Sequence, residues 1–394
     1  LVIYKIVLGA ILIFIGAIHR KYLIKKLEGS KQIFQLLIVE VFIMIAAISV
    51  GAWLSSSAPP VPENPRDVGI AEIIAGSPML PAPDLNNVLW TYVPDAAIMG
   101  LLIFITALYI RGVVILAKRG DKWPIGRTIA FAFAVAATDF ATSGGLGAYA
   151  RFSFSYHMVA HMILGMVAPI GLVLGAPMTL ALRTLPQGRN PEERGVRGSL
   201  LAALHSKIGV LYTNPIVALA IFDGSLFALY FTDLFAVLMQ SHTGHLFMSL
   251  HFLAAGFLFF FIIIGVDPNP RRVHHLVQIV ILFAAMSIHA FFSVALMSTT
   301  TLIDQGFYTS LQTPWLGDPL ADQKLGGSIG WAMGEIPILI ALVATFINWM
   351  RDDSREAKRI DRNTARQAAM GQPDDLANYN QYLQELSKRD RNEP

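Results

Sequence analysis

The sequence is 394 residues long, 54% hydrophobic and 14% charged, with a mean hydropathy of +0.54, which excludes an ordinary soluble domain and identifies a polytopic membrane protein. The net charge of +3 and pI near 9.0 do not point to nucleic acid, because the Lys and Arg residues fall in short clusters between apolar spans, the pattern that orients helices in a bilayer. There is no cysteine, so disulfides, thiolate metal sites and iron–sulfur clusters are excluded, and any metal must be held by His, Met, carboxylate or backbone.

Hydropathy predicts an all-α, polytopic membrane helix bundle of about nine transmembrane helices, two plus seven, near residues 1–18, 34–55, 94–117, 128–146, 155–182, 214–239, 246–265, 274–299 and 327–350. The chain starts at Leu1 inside an apolar run, as expected of a fragment or processed chain. Basic residues crowd the odd-numbered connections: Arg20, Lys21, Lys25 and Lys26 after the first span, Lys118, Arg119, Lys122 and Arg127 after the third, and Arg183, Arg189, Arg194 and Arg197 after the fifth. Arg271 and Arg272 follow the seventh, and Arg351, Arg355 and Lys358 the ninth. The even-numbered connections are poor in them, which predicts an outer N-terminus and a cytoplasmic C-terminus. The Pro-rich run from Pro59 onward reads as a linker. The expected domains are therefore 1–62, a two-span module; 63–93, an extracytoplasmic linker; 94–350, a seven-span domain; and 351–394, a charged cytoplasmic tail. The first half of that tail is expected to be flexible, and Leu376, Tyr379, Leu383 and Leu386 at helical spacing predict a short amphipathic helix in the second.

With that topology the histidines sort by depth. His157 and His161 are four apart at the outer end of the fifth span, so they share a helical face about 6 Å apart along the axis, and Met158 and Met162 repeat the spacing. His242, His245 and His251 stand at the outer start of the seventh span, and His289 and Met297 in the outer half of the eighth. Imidazole beside thioether suits Cu(I), so these nine side chains form the candidate metal set. Successive three-residue steps drift around a helix, and His242 and His251 cannot share a face. The alternative reading is polar side chains bonding helix to helix. Asp139, Asp223, Asp233 and Glu335 are carboxylates within spans; they are candidates for proton handling or for orienting imidazoles, with Asp233 the expected partner, or else protonated structural groups.

Several ordered stretches resemble a known family. They are Tyr156-His157-Met158 through His161-Met162 to Ala168-Pro169; Leu174-Gly175-Ala176-Pro177; Ser241-His242-Thr243-Gly244-His245 with His251-Phe252-Leu253; and Gly265-Val266-Asp267-Pro268-Asn269-Pro270. With them go His289-Ala290-Phe291-Phe292, Asp322-Gln323, Gly326-Gly327 and Gly334-Glu335-Ile336-Pro337. Together, from about 90 to 390, they resemble the CtaG-type cytochrome oxidase assembly factors, seven-span membrane proteins associated with copper delivery to haem-copper oxidases. Residues 1–62, with His19-Arg20, Glu40 and Pro59-Pro60, resemble the last two spans of a CopD-type copper-resistance membrane protein, a module that some bacteria join to a CtaG part. The resemblance implies a bacterial plasma-membrane protein, not an enzyme, that handles copper on the extracytoplasmic side and has cytochrome c oxidase subunits or assembly intermediates, and the lipid bilayer, as partners. Other readings left open are a b-haem membrane oxidoreductase, a structural scaffold bound to the oxidase, and a copper permease.

Overall fold

The computed structural model describes residues 69–188, 195–270, 273–370 and 375–392, with isolated positions 14, 16 and 41. The two spans expected within 1–62, and the module assigned to them, lie outside the described residues. The chain divides into two compact units, Leu1–Val68 and Gly69–Pro394, and nearly all of the described residues belong to the second.

Among the described residues this second unit is built from helices, of which six are long and apolar enough to cross a membrane. Two short helices, α1 (Ile70–Ala75) and α2 (Leu85–Trp90), precede α3 (Ala96–Lys118). Asp95 starts α3 by accepting from the backbone N–H groups of Ala97 and Ile98, at 3.1 Å each, so two orphan donors of the first turn are satisfied. Its 23 residues span about 35 Å, enough for the hydrocarbon core. α4 (Ile125–Thr142) returns, and the short α5 (Gly145–Tyr149) leads to the central element.

That element is a chain of helices rather than one rod: α6 (Phe154–Met162), a π-helical turn (Ile163–Val167), α7 (Ala168–Leu174) and α8 (Pro177–Thr184). Pro169 has no N–H to give the carbonyl of Gly165, and the backbone N–H of Ala168 reaches back five residues to Ile163, so the turn widens where the proline breaks the ladder. Two carboxylates fix the ends. Asp322 accepts from Phe154 N (2.7 Å) and from Ser153 Oγ (3.1 Å) at the start of α6, and Asp267 accepts from Met178 N (3.1 Å) and Thr179 N (2.7 Å) at the start of α8; both sit where the helix dipole favours negative charge.

α9 (Gly195–Leu204) and α10 (Lys207–Tyr212) lie between the central element and the sixth predicted span. The structure differs there from the expectation of one helix over 214–239: α11 (Pro215–Phe222), α12 (Gly224–Tyr230) and α13 (Leu234–Met239) are separated at Asp223 and again at 231–233. At the second break the Thr232 hydroxyl offers the backbone a competing polar partner that a uniform apolar run would not: its Oγ donates to the Ala228 carbonyl oxygen and accepts from Leu234 N at 3.2 Å. α14 (His242–Ile264) begins at Ser241, which accepts from Gly244 N (3.0 Å), and ends at Gly265 in the left-handed region (φ 62°).

α15 (His275–Ser298) and α17 (Pro319–Ala369), joined through α16 (Phe307–Ser310), pack along each other, and α6 packs against α17. α17 is 51 residues long, about 77 Å of helix, so it extends well beyond any bilayer core. The tail expected to be flexible over its first half is instead a continuation of this helix, rich in Arg and Ala, with Arg355 paired to Asp352 at 3.2 Å one turn away. α18 (Asp375–Asn392) follows, with Tyr379, Leu383 and Leu386 exposed.

The core is aromatic and methionine-rich: Phe152, Met158, Met166, Phe235, Phe259 and Phe292 are all fully enclosed. Ile103, Phe104, Ile110, Phe291, Ile340 and Val343 are exposed, an outward apolar belt suited to lipid. Inside lipid the helices gain little from hydrophobicity alone and rely on close packing; a Cβ at Gly256 of α14 would overlap the carbonyl oxygen of Gly165 in the π turn, so glycine permits that approach.

Candidate metal centre

Three of the nine candidate ligands come together. The imidazoles of His157 and His161 on α6 and His245 on α14 offer nitrogen atoms that all lie within 4.8 Å of one another. His157 and His161 stack with ring centroids 4.0 Å apart, as the four-residue spacing requires, and His245 meets them edge-on at 5.6 and 5.8 Å. His157 and His161 are 0% and 1% exposed, yet His157 Nδ1, both nitrogens of His161 and His245 Nε2 have no hydrogen-bond partner. Four unpartnered buried nitrogens on three neighbouring rings would be costly in a purely structural cluster. They are what a ligand set looks like.

The walls around the trio are aromatic: Phe235 and Phe252 stand edge-on to His157 and His161 at 5.2 and 4.7 Å. The polar partner of His157 is the Tyr230 hydroxyl, 3.2 Å from its Nε2. If Nε2 carries the proton and donates it to Tyr230 Oη, the free Nδ1 is left with its lone pair, the tautomer a metal ligand needs.

The other candidates are distributed differently. His242 stands outside, its side chain 62% exposed and its Nε2 3.4 Å from Asp95 Oδ2. With His245, Met239 and Arg151 it lines a cavity of about 240 Å³ that opens beside the trio. Burial pulls the Arg151 guanidinium below its ordinary value, with the Asp95 carboxylate opposing the shift, and the group stays cationic. His251 is half-buried against Phe252, outside the trio. Met158 is buried and its sulfur faces Gly330 of α17, Met162 is buried in the core, and Met297 Sδ accepts from Ser328 Oγ at 3.1 Å.

His289 belongs to a separate group. Fully buried, it donates from Nε2 to the carbonyl oxygen of Gly330 at 3.1 Å and presents Nδ1 to Asp223 Oδ1 at 3.6 Å. A Cβ at Gly334 would overlap its ring. Glu335 is within electrostatic reach of both His289 and Asp223. Asp139 accepts from the Tyr92 hydroxyl at 3.1 Å, and Asp233 is exposed and accepts from Gln305 Nε2 at 2.6 Å, so neither carboxylate orients a histidine of the trio. Tyr230, Asp95 and Asp322 are placed at or beside the site by the structure without having been singled out as site residues; Asp95 and Asp322 carry a readable signal, an acid just ahead of an apolar helical run or inside a first turn.

Comparison with known proteins gives one family. The model of the family described as cytochrome c oxidase caa3 assembly factor matches residues 107–352, a stretch that includes all three histidines. An uncharacterized protein of Mycobacterium bovis is 40% identical over 320 residues, which are 81% of this chain and 48% of that protein. The same figures hold for one of Mycobacterium tuberculosis, and one of Mycobacterium leprae is 41% identical over 297 residues, 75% of this chain and 45% of its own. The chain thus spans about half the length of the curated relatives it matches. No solved structure matches.

Proposed function

The chain belongs to the cytochrome c oxidase caa3 assembly factor family, and from that premise we propose that it binds copper(I) as cargo on His157, His161 and His245 and passes it to the oxidase during assembly. It acts as a binding and transfer protein rather than as an enzyme. The observation that carries the reading is the set of unpartnered, buried imidazole nitrogens within 4.8 Å of one another. Three imidazoles suit copper among other transition metals, and the lower charge of Cu(I) fits a set with no carboxylate among its ligands, because the cost of burying an ion grows as the square of its charge. The mouth lined by His242 and Met239 supplies an exposed imidazole and a thioether through which the ion is exchanged, one ligand at a time, with a subunit of the oxidase.

The distribution of Lys and Arg supports an orientation in a bacterial cell membrane with the trio near the extracytoplasmic face and the C-terminal tail in the cytoplasm. Ligation of a b-haem is less compatible with the geometry, because it needs two imidazoles facing each other across a porphyrin, whereas His157 and His161 are stacked at 4.0 Å on one helix.

The test is equilibrium dialysis of the full chain in detergent against Cu(I) buffered by a competing chelator, with metal analysis. The parent should bind about one equivalent, and the His157→Ala/His161→Ala double variant should lose it. Unchanged stoichiometry and affinity in the double variant would sink the assignment, and zinc rather than copper in the protein isolated with its oxidase would redirect it.

A further inference from the structure

The second histidine site, at His289, is arranged so that it defines the whereabouts of a proton. His289 Nε2 lies 3.1 Å from the carbonyl oxygen of Gly330, which can only accept, so Nε2 must carry a hydrogen. Nδ1 then either holds a lone pair or, in the imidazolium, a second hydrogen, and it faces Asp223 Oδ1 at 3.6 Å. His289 and Asp223 are 0% and 1% exposed, and neither Asp223 oxygen has a hydrogen-bond partner. An ionised carboxylate facing a lone pair in such a place would be both desolvated and repelled. With one proton between them the pair is neutral overall, whether that proton sits on oxygen or on nitrogen.

The position of the pair is as telling as its chemistry. Asp223 ends α11, and Tyr230, seven residues on and about 10 Å along α12, carries the hydroxyl that meets His157. Phe292 lies between the two sites, 5.6 Å from the Tyr230 ring and 6.1 Å from His289 by centroids. The pair is thus near enough to the trio to feel a charge placed there and separated from it by aromatic rings. The titratable groups around it come from three elements: Asp223 itself, His289 of α15 and Glu335 of α17. α14, which packs against α11, carries only histidines of this kind, His242, His245 and His251.

We propose that the Asp223–His289 pair stores one proton when the trio is empty and releases it when a monovalent soft cation binds there, so that the membrane-buried charge stays constant. The proposal rests on the trio being a cation site. The exchange balances without redox chemistry: nitrogen–metal bonds form at His157, His161 and His245, the O–H or N–H bond of the pair breaks, and the proton leaves to solvent. The trio brings no anion of its own, and ionised Asp223 becomes the counter-charge.

Silver(I) serves as the probe, since it is soft, monovalent and does not change oxidation state. At pH 8 an ordinary imidazole is already neutral, so protons displaced from the trio itself would be negligible. The full chain in weak buffer with a pH-indicator dye should release about one proton per silver ion bound, whereas Asp223→Asn should still bind silver, more weakly, and release almost none. Binding in the parent without release, or full release from the Asp223→Asn variant, overturns the proposal and leaves the trio standing. No binding in the parent at all overturns the reading of the trio and this inference with it. Should Asp223→Asn not fold, the parent alone decides: silver affinity should rise about tenfold per pH unit between pH 7 and 9, and a flat profile refutes the coupling.

Discussion

Two histidine sites share this bundle, one fully buried at His289 and one open on its His245 side to a cavity, and their environments differ in a way that suits them to different tasks. Around His157, His161 and His245 the neighbours include Phe235, Phe252 and the Tyr230 hydroxyl, and four of the ring nitrogens are left without partners. Around His289 there are a carbonyl oxygen and two acidic side chains. An imidazole cluster with no anion is a place for a cation to arrive; an imidazole facing a carboxylate is a place where a proton already resides. On the proposed reading the same residue type serves two ions, and what decides is the company each ring keeps, down to the single acceptor that sets its tautomer.

The sharpest break of that comparison is to remove ligands from one site and not the other. His157→Ala/His161→Ala should weaken Cu(I) or Ag(I) binding by about a hundredfold or more, while His289→Ala should retain one equivalent by dialysis; equal losses would mean a single shared site. Gly334→Ala tests the second site alone, since the new methyl group overlaps the His289 ring. It should cost about 1–3 kcal/mol of stability, seen as a lower Tm, with metal stoichiometry unchanged. Tyr230→Phe removes the one polar partner of His157 and should weaken metal binding about tenfold without lowering the stoichiometry; tighter binding would show that Tyr230 competes for the ligating nitrogen. The smallest effect belongs to Arg151 at the mouth. Arg151→Gln should raise the association rate a few-fold, about threefold at low ionic strength and less in high salt, measured by stopped-flow, with the stoichiometry of the trio intact.

How much of this is legible in the sequence varies with the range of the interaction. The HxxxH spacing alone places His157 and His161 on one face, because a helix imposes that geometry locally. Helix drift in the three-residue steps keeps His242 and His251 off one face, but that neither joins His245 in the trio is seen only in the structure. Apolar length anticipates the long helices, yet it reads 214–239 as continuous, since Asp223 and Asp233 cost little in an averaged hydropathy; the competition of the Thr232 hydroxyl for the backbone is a local effect that a window smooths away. His289 shares a residue type with the trio and faces elsewhere: which way α15 turns depends on its packing along α17, and the absence of a side chain at Gly334 makes the room. Asp233 is the expected partner of a histidine, and the structure bonds it to Gln305 instead. Tyr230 is beyond the reach of sequence for the same reason, its hydroxyl meeting His157 across 73 positions.

The π turn at Ile163–Val167 gives the trio an unusual dependence on chain length. An i to i+5 turn contains one residue more than an α-helix needs to cover the same rise, and here the surplus lies between His161 and Ala168. Deleting a single residue from 164–166 would remove that surplus and turn α6 against α7 by one residue, with Pro169 still interrupting the ladder. With α7 held by α4 and α14, His157 and His161 would then swing by about 100° around the axis, away from His245, although every ligand is still present. The aim of the site is thus written in a count of residues, in a segment that contributes no donor atom to it.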